Sequence, residues 1–232
     1  MAQTKWGFYE QLRPAQIEAI KTRSPIAYVP WGALEWHSFH APIGLDCFKA
    51  HGLCRELVQR SGGVVLPPVY VGTDTIKPYK GFKHTLEHSG SVVTMLCQEL
   101  LEQLADEDFK VIILVTGHYG EGHVKAIREA ADMFAAHHPH IGLWAFPDSE
   151  PLTGSYPANH AARGETSFQL LFQPELVDLS TLPSDRETTL DDDGVWGEDP
   201  RGASAAEGAE MLQVFIQHAM ARIENLIREY VQ

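Results

Sequence analysis

Residues Ile26-Ala27-Tyr28-Val29-Pro30-Trp31-Gly32-Ala33-Leu34-Glu35-Trp36-His37-Ser38-Phe39-His40-Ala41-Pro42-Ile43-Gly44-Leu45-Asp46 carry the reading that decides the fold. The short apolar run Ile26–Val29, closed by Pro30, reads as a buried strand. Directly after it, the twelve residues from Glu35 to Asp46 hold two carboxylates and two imidazoles. Glu35 and His37 lie two apart, so an extended backbone projects both to one side, and Asp46 returns toward them after the Pro42 and Gly44 turn. Such a loop suits a divalent metal, or two metals sharing a carboxylate; the alternative is a polar surface loop.

Working outward, Cys47 to Arg60 has Phe48, Leu53, Leu57 and Val58 near helical spacing and ends at Ser61-Gly62-Gly63. Val64-Val65-Leu66 then reads as a second buried strand stopped by Pro67-Pro68. Strand, loop, helix and strand make the repeating unit of a parallel sheet, so the expected fold class is α/β, a single domain over 1–232 with a largely parallel sheet flanked by helices. Upstream, Pro14 to Thr22 fits a short amphipathic helix. Downstream, the polar stretch from Gly72 to His84 suits an active-site or interface loop, and His84 and His88, four apart, read as ordinary surface histidines that can share a helical face.

Ser91 to Glu107 is an amphipathic helix, and Phe109 to Val115, apolar throughout, is a central strand. That strand leads into Thr116-Gly117-His118-Tyr119-Gly120-Glu121-Gly122-His123 and a helix from about Val124 to Ala136. A histidine at the carboxyl end of a central strand sits where open α/β sheets bind ligands. Ile141 to Phe146 is a further strand, Phe168 to Phe172 a helix or strand, and Ala206 to Tyr230 a long final helix. Glu165, against an apolar run, calls for a metal or a proton-sharing partner if buried. The acidic run Asp191-Asp192-Asp193 lacks the ligand alternation of a calcium loop.

The formal charge is −13, from 31 acidic and 18 basic residues, which disfavours nucleic acid and anionic membrane as partners. Cys47, Cys54 and Cys97, odd in number and without close pairs, point to buried free thiols in a reducing compartment. Met1 to Trp6 lack a signal-peptide apolar run, and no segment has the length of a membrane span, so a cytoplasmic protein is expected.

The opening stretch resembles the signature of the creatininase family (creatinine amidohydrolases and relatives), with Pro30, Gly32, Glu35, His37, His40, Pro42 and Asp46 at its fixed positions. The likeness continues through Gly90-Ser91, the loop at His118, the segment His160-Ala161 to Glu165-Thr166-Ser167, and Gly194 to Gly208. It implies a dinuclear hydrolase: Asp46 bridges two divalent ions (Zn, Mn or Fe), with Glu35 and His118 on one and His37 on the other. The family's last ligand is a glutamate two residues after the loop histidine, where this chain has Gly120. Glu165 is the expected replacement, with Glu121 second.

The resemblance further implies a metal-bound hydroxide that attacks the carbonyl of a small, cyclic amide, His160 as the catalytic proton shuttle, and Tyr119 as a substrate-binding residue. Tyr156 and Pro157 stand where the family's namesake carries Trp and Asp, so creatinine is not assigned as substrate. Hydrolysis of a cyclic ketone or lactone of inositol or sugar catabolism, a non-catalytic metal-binding protein and a metal-free α/β interaction protein are the other readings. A small-molecule substrate and a homo-oligomer, hexameric by family analogy, are the expected partners.

Overall fold

The structure, a computed structural model, describes residues 5–231 other than Thr153, Ser155, Pro157 and Ala158. Its strands are β1 (Trp6–Phe8), β2 (Ile26–Gly32), β3 (Gly63–Val65), β4 (Val69–Tyr70), β5 (Val111–Thr116) and β6 (Gly142–Pro147). The helices are α1 (Pro14–Lys21), α2 (Leu45–Ser61), α3 (Ile76–Lys80), α4 (Gly90–Asp106), α5 (Glu121–His137), α6 (Arg163–Phe172), α7 (Leu190–Asp193) and α8 (Ala205–Tyr230). The strands form one sheet in the order β1-β3-β2-β5-β6, every pairing parallel.

β2 and β5 are wholly buried because each feeds both faces. Ala27, Val29 and Trp31 join Ile112 and Leu114 in one core with Val93, Cys97 and Leu101 of α4 and Ile127 and Phe134 of α5. Ile26, Tyr28, Val111, Ile113 and Val115 point the other way, onto Leu53 and Leu57 of α2, Phe168 of α6 and Phe215 and Ile223 of α8. Period-two alternation therefore gives a helix–sheet–helix sandwich, each large buried side chain contributing roughly 1.5–3 kcal/mol.

From β2 the chain crosses through α2 to β3 on one side, and from β5 it crosses through α5 to β6 on the other. The two connections diverge between β2 and β5, which opens a crevice outside the carboxyl ends of those strands. Register sets its depth: Pro30 pairs with Val115 and Trp31 with Thr116, so the two strands end level.

Three details depart from expectation. The strand from Gly63 ends at Val65, before Pro67-Pro68, but a short strand the sequence did not announce, β4, follows the prolines and pairs with the end of β2. Helix α2 begins at Leu45, so Asp46 lies in a first helical turn rather than on a loop, where the helix dipole favours its negative charge. His84, exposed and at φ 64°, and His88, whose Nδ1 lies 3.3 Å from the Gly72 carbonyl, lie outside any helix.

Candidate active site

The four strongly polar groups of the opening stretch, Glu35, His37, His40 and Asp46, are all buried, and all but His40 gather at the crevice. Glu35 and His37 follow β2 in an irregular loop that Ser38 reverses at φ 60°. Asp46 enters from α2, His118 from the end of β5, and Glu165 from the first turn of α6. Glu35, His37, Asp46, His118 and Glu165 are all at most 4% exposed. Asp46 is held close to the sheet by two glycines: a Cβ on Gly32 would lie 2.5 Å from Asp46 Cβ, and one on Gly117 2.2 Å from its carbonyl oxygen.

These side chains fall into two groups that share Asp46. In one, His118 Nδ1 is 2.7 Å from Glu35 Oε1 and 3.5 Å from Asp46 Oδ2. In the other, His37 Nε2 is 3.1 Å from Asp46 Oδ1 and 3.7 Å from Glu165 Oε2. Either trio brings its donor atoms close enough together to hold a metal ion, as does a third made of Glu35, His37 and His160. His160 Nδ1 stands 3.8 Å from Glu35 Oε1.

Each imidazole has one nitrogen on a backbone carbonyl and the other turned inward. His37 Nδ1 is 3.1 Å from the Glu35 carbonyl, His118 Nε2 3.0 Å from that of Thr73, and His160 Nε2 2.7 Å from that of Trp36. Donation of the outer N–H leaves the inner lone pair for a cation or a proton, the arrangement that orients metal-ligating histidines. Backbone donors hold the carboxylates in turn: Ile76 N–H to Glu35 Oε2, Ala33 N–H to Asp46 Oδ2, and Ala161 N–H to Glu165 Oε2.

The buried carboxylates and imidazoles shift one another's titration. Burial pulls His37 down, but Asp46, Glu165 and Glu35 outweigh it and raise its pKa to about 9. Burial likewise opposes His118, which Glu35 and Asp46 carry to about 10. Burial pushes Glu35 upward, yet His118, His160 and His37 hold it well below the usual carboxylate range. His160 goes the other way, lowered first by burial and then by the neighbouring charge of His37. Glu35 Oε1 and His37 Nε2 are buried with no neutral hydrogen-bond partner and meet only the ionisable groups of the cluster. Buried orphan donors of nitrogen and oxygen type are what a divalent ion satisfies, so the residues fit such a group.

The expected set is thus gathered in one place, and Glu165, not Glu121, is the carboxylate brought to it: Glu121 is exposed on the pocket wall and joins none of the metal-holding trios among the described residues. Tyr119 lines the same pocket, which has a volume of about 630 Å³. His40, also in the opening signature, is turned away; its Nε2 lies 2.8 Å from Thr166 Oγ1, and burial lowers its pKa to about 4. Tyr156 packs against the α8 side of the core, and Pro157 lies outside the described residues.

Two members of the cluster escaped the sequence reading. Lys49, fully buried, sets its Nζ 2.6 Å from Glu165 Oε1, 2.6 Å from Tyr119 Oη and 3.3 Å from Asp148 Oδ2. Asp148, after β6, is raised by burial to about 6 even with Lys49 beside it. Lys49 follows Asp46 by three residues in α2, a spacing that puts both on one face and was the available signal. Asp148 carried none.

The fold and the pocket together define an open, parallel α/β protein that gathers carboxylates and imidazoles at its switch point. A family model described as creatinine amidohydrolase matches residues 10–223, and the chain belongs to the creatininase family of hydrolases, which act on C–N bonds. It is 26% identical over 237 residues to a creatinine amidohydrolase of Pseudomonas putida, covering 88% of this chain and 89% of that protein. A crystal structure of creatinine amidohydrolase (creatininase) superposes with a TM-score of 0.79 at 21% identity, covering 97% of this chain and 98% of the other. A manganese form of creatininase gives 0.77 at 20% identity over 99% of this chain and 100% of that one, and a glutamate-to-glutamine variant of the Zn-Zn type gives 0.78 at 19% over 99% of each.

Proposed function

We propose that the protein is a two-cation hydrolase that opens a small, cyclic amide. The observation that carries this reading is the division of labour at Asp46, whose Oδ2 faces Glu35 and His118 while its Oδ1 faces His37, with Glu165 beyond. One carboxylate shared by two trios is the donor set that two divalent ions, zinc, manganese or iron, require. When bound, such a pair lowers the pKa of water and polarises a carbonyl oxygen.

The chain's own residues do the rest. The pocket admits a small molecule and buries it against Tyr119 and Ile76. His160 is neutral at pH 7 because burial lowers its pKa, and its Nδ1 is turned inward, so it can accept a proton there and return it to a leaving nitrogen. Its outer nitrogen, fixed on the Trp36 carbonyl, keeps that orientation. By family analogy the protein is a homo-oligomer, which light scattering checks, and its three buried free thiols suit a cytoplasmic location.

Elemental analysis of protein purified without chelator tests the reading together with two variants. Asp46→Ala is expected to lose both ions and turnover of cyclic amides. His160→Ala is expected to keep the ions and lose about 10²–10⁴-fold in kcat. Full metal content in the Asp46 variant rejects the shared carboxylate, and an ion lost with His160 makes that residue a ligand.

A further inference from the structure

Beneath the pocket, Lys49 is a charged group that the proposed chemistry does not use. Its ammonium is fully buried, against Glu165 Oε1 and Tyr119 Oη at 2.6 Å each, with Asp148 Oδ2 at 3.3 Å and the Tyr119 ring centroid at 4.2 Å. It is absent from the pocket lining, so it reaches a substrate only through these neighbours. Glu165 is consequently divided: Oε1 is taken by the ammonium, and Oε2, held by the Ala161 N–H at 2.8 Å, is the oxygen presented to His37.

We propose that Lys49 is a positioning residue that makes the two cation sites unequal, by restricting Glu165 to a single ligating oxygen and by setting a fixed positive charge behind the His37, Asp46 and Glu165 trio. This rests on the two-cation reading. The Glu35, Asp46 and His118 trio contains no residue bonded to Lys49, so the handicap falls chiefly on the other site, the charge reaching the shared Asp46 only through space. A unit positive charge on the far oxygen of a shared carboxylate lowers affinity for a divalent ion by roughly tenfold or more, even with water-like screening. Lys49 also ties Glu165 to the buried hydroxyl of Tyr119, so the loosely held ion and this residue of the pocket wall rest on one support.

The test is titration of metal-free protein with Mn²⁺, followed by calorimetry and by the electron paramagnetic resonance of the free ion. Wild-type protein is expected to bind two ions with dissociation constants at least about tenfold apart. Lys49→Met is expected to tighten the weaker site by about tenfold or more and to leave the stronger within about twofold. The sign separates this role from a structural one, because a loosened fold weakens both sites. Should Lys49→Met fail to fold, Lys49→Met with Asp148→Asn removes the buried charges as a pair and still frees Glu165 Oε1, so a smaller tightening of the weaker site alone is expected. Unchanged or weakened binding in the folded variant overturns the inference and leaves the two-cation reading standing. A wild-type protein that binds no Mn²⁺, Zn²⁺ or Fe²⁺ overturns both.

Discussion

His37 and His118 are where the site's response to pH resides. Without metal, their pKa values of about 9 and about 10 stand above the ordinary imidazole value because carboxylates surround them. A group with a raised folded-state pKa contributes stability that is complete below about pH 6.5 and is lost as pH rises through the folded value. Metal-free protein is therefore expected to lose roughly 5 °C or more in Tm between pH 6.5 and 10, a loss that saturating Mn²⁺ removes; thermal melts across that range check it. Cation binding must also expel those protons. Affinity for Mn²⁺ should accordingly rise from pH 6 to 9, by up to about tenfold per unit for each proton displaced, and a weakly buffered titration should register acid release. A pH-independent affinity contradicts the protonated imidazoles.

At the level of elements, the site depends on how closely α2 approaches the ends of β2 and β5. Gly117 permits that approach, since a methyl group there would meet the Asp46 carbonyl oxygen at 2.2 Å and backbone cannot yield cheaply. Gly117→Ala is expected to destabilise by about 1–3 kcal/mol and to weaken metal binding by moving Asp46. Gly90 opens α4 with nothing within 4 Å, so Gly90→Ala should stabilise by about 0.4–1 kcal/mol without touching the metal. Denaturant midpoints and metal titrations distinguish the pair. Legibility follows the same division. The runs at Ile26 and Val111 announced their strands because buried parallel strands are apolar on both faces, and the half-buried edge strand after Ile141 kept enough of that run to be read. Three-residue β1, two-residue β4 and five-residue α3 are too short to carry a period, and only pairing or a cap such as Thr75 defines them. That Glu35, His37, Asp46, His118 and Glu165 come together was legible through the motifs that carry the family resemblance. Lys49 was not read, although its place three residues after Asp46 put it on the same face, because the charges of an amphipathic helix ordinarily face solvent.

For the whole molecule, Trp36 joins distant parts of the chain around the pocket mouth. Its ring stacks on Phe82 at 5.4 Å and meets Phe39 edge-on at 5.0 Å, its Nε1–H donates to the Asp193 carbonyl, and its own carbonyl holds His160. Arg186 secures the same segment by pairing with buried Asp193 at 2.7 Å. Trp36→Phe keeps the stacking and removes one hydrogen bond, at about 1 kcal/mol, so KM is expected to rise about fivefold with kcat within about twofold. An equal fall in kcat would mean that His160 had moved as well. Among the described residues no helix is long and apolar enough to cross a membrane.

Because every strand of the sheet runs the same way, reactive groups collect at one rim, and the opposite rim, which carries the bend at His140, is left for engineering. The chain's own thiols, Cys47, Cys54 and Cys97, are buried, so His140→Cys would offer a dye, a surface or a fusion partner a single accessible handle. Tethered there, the enzyme could be immobilised or tracked with its mouth facing the solution, and an unaltered turnover number after conjugation is the expected result.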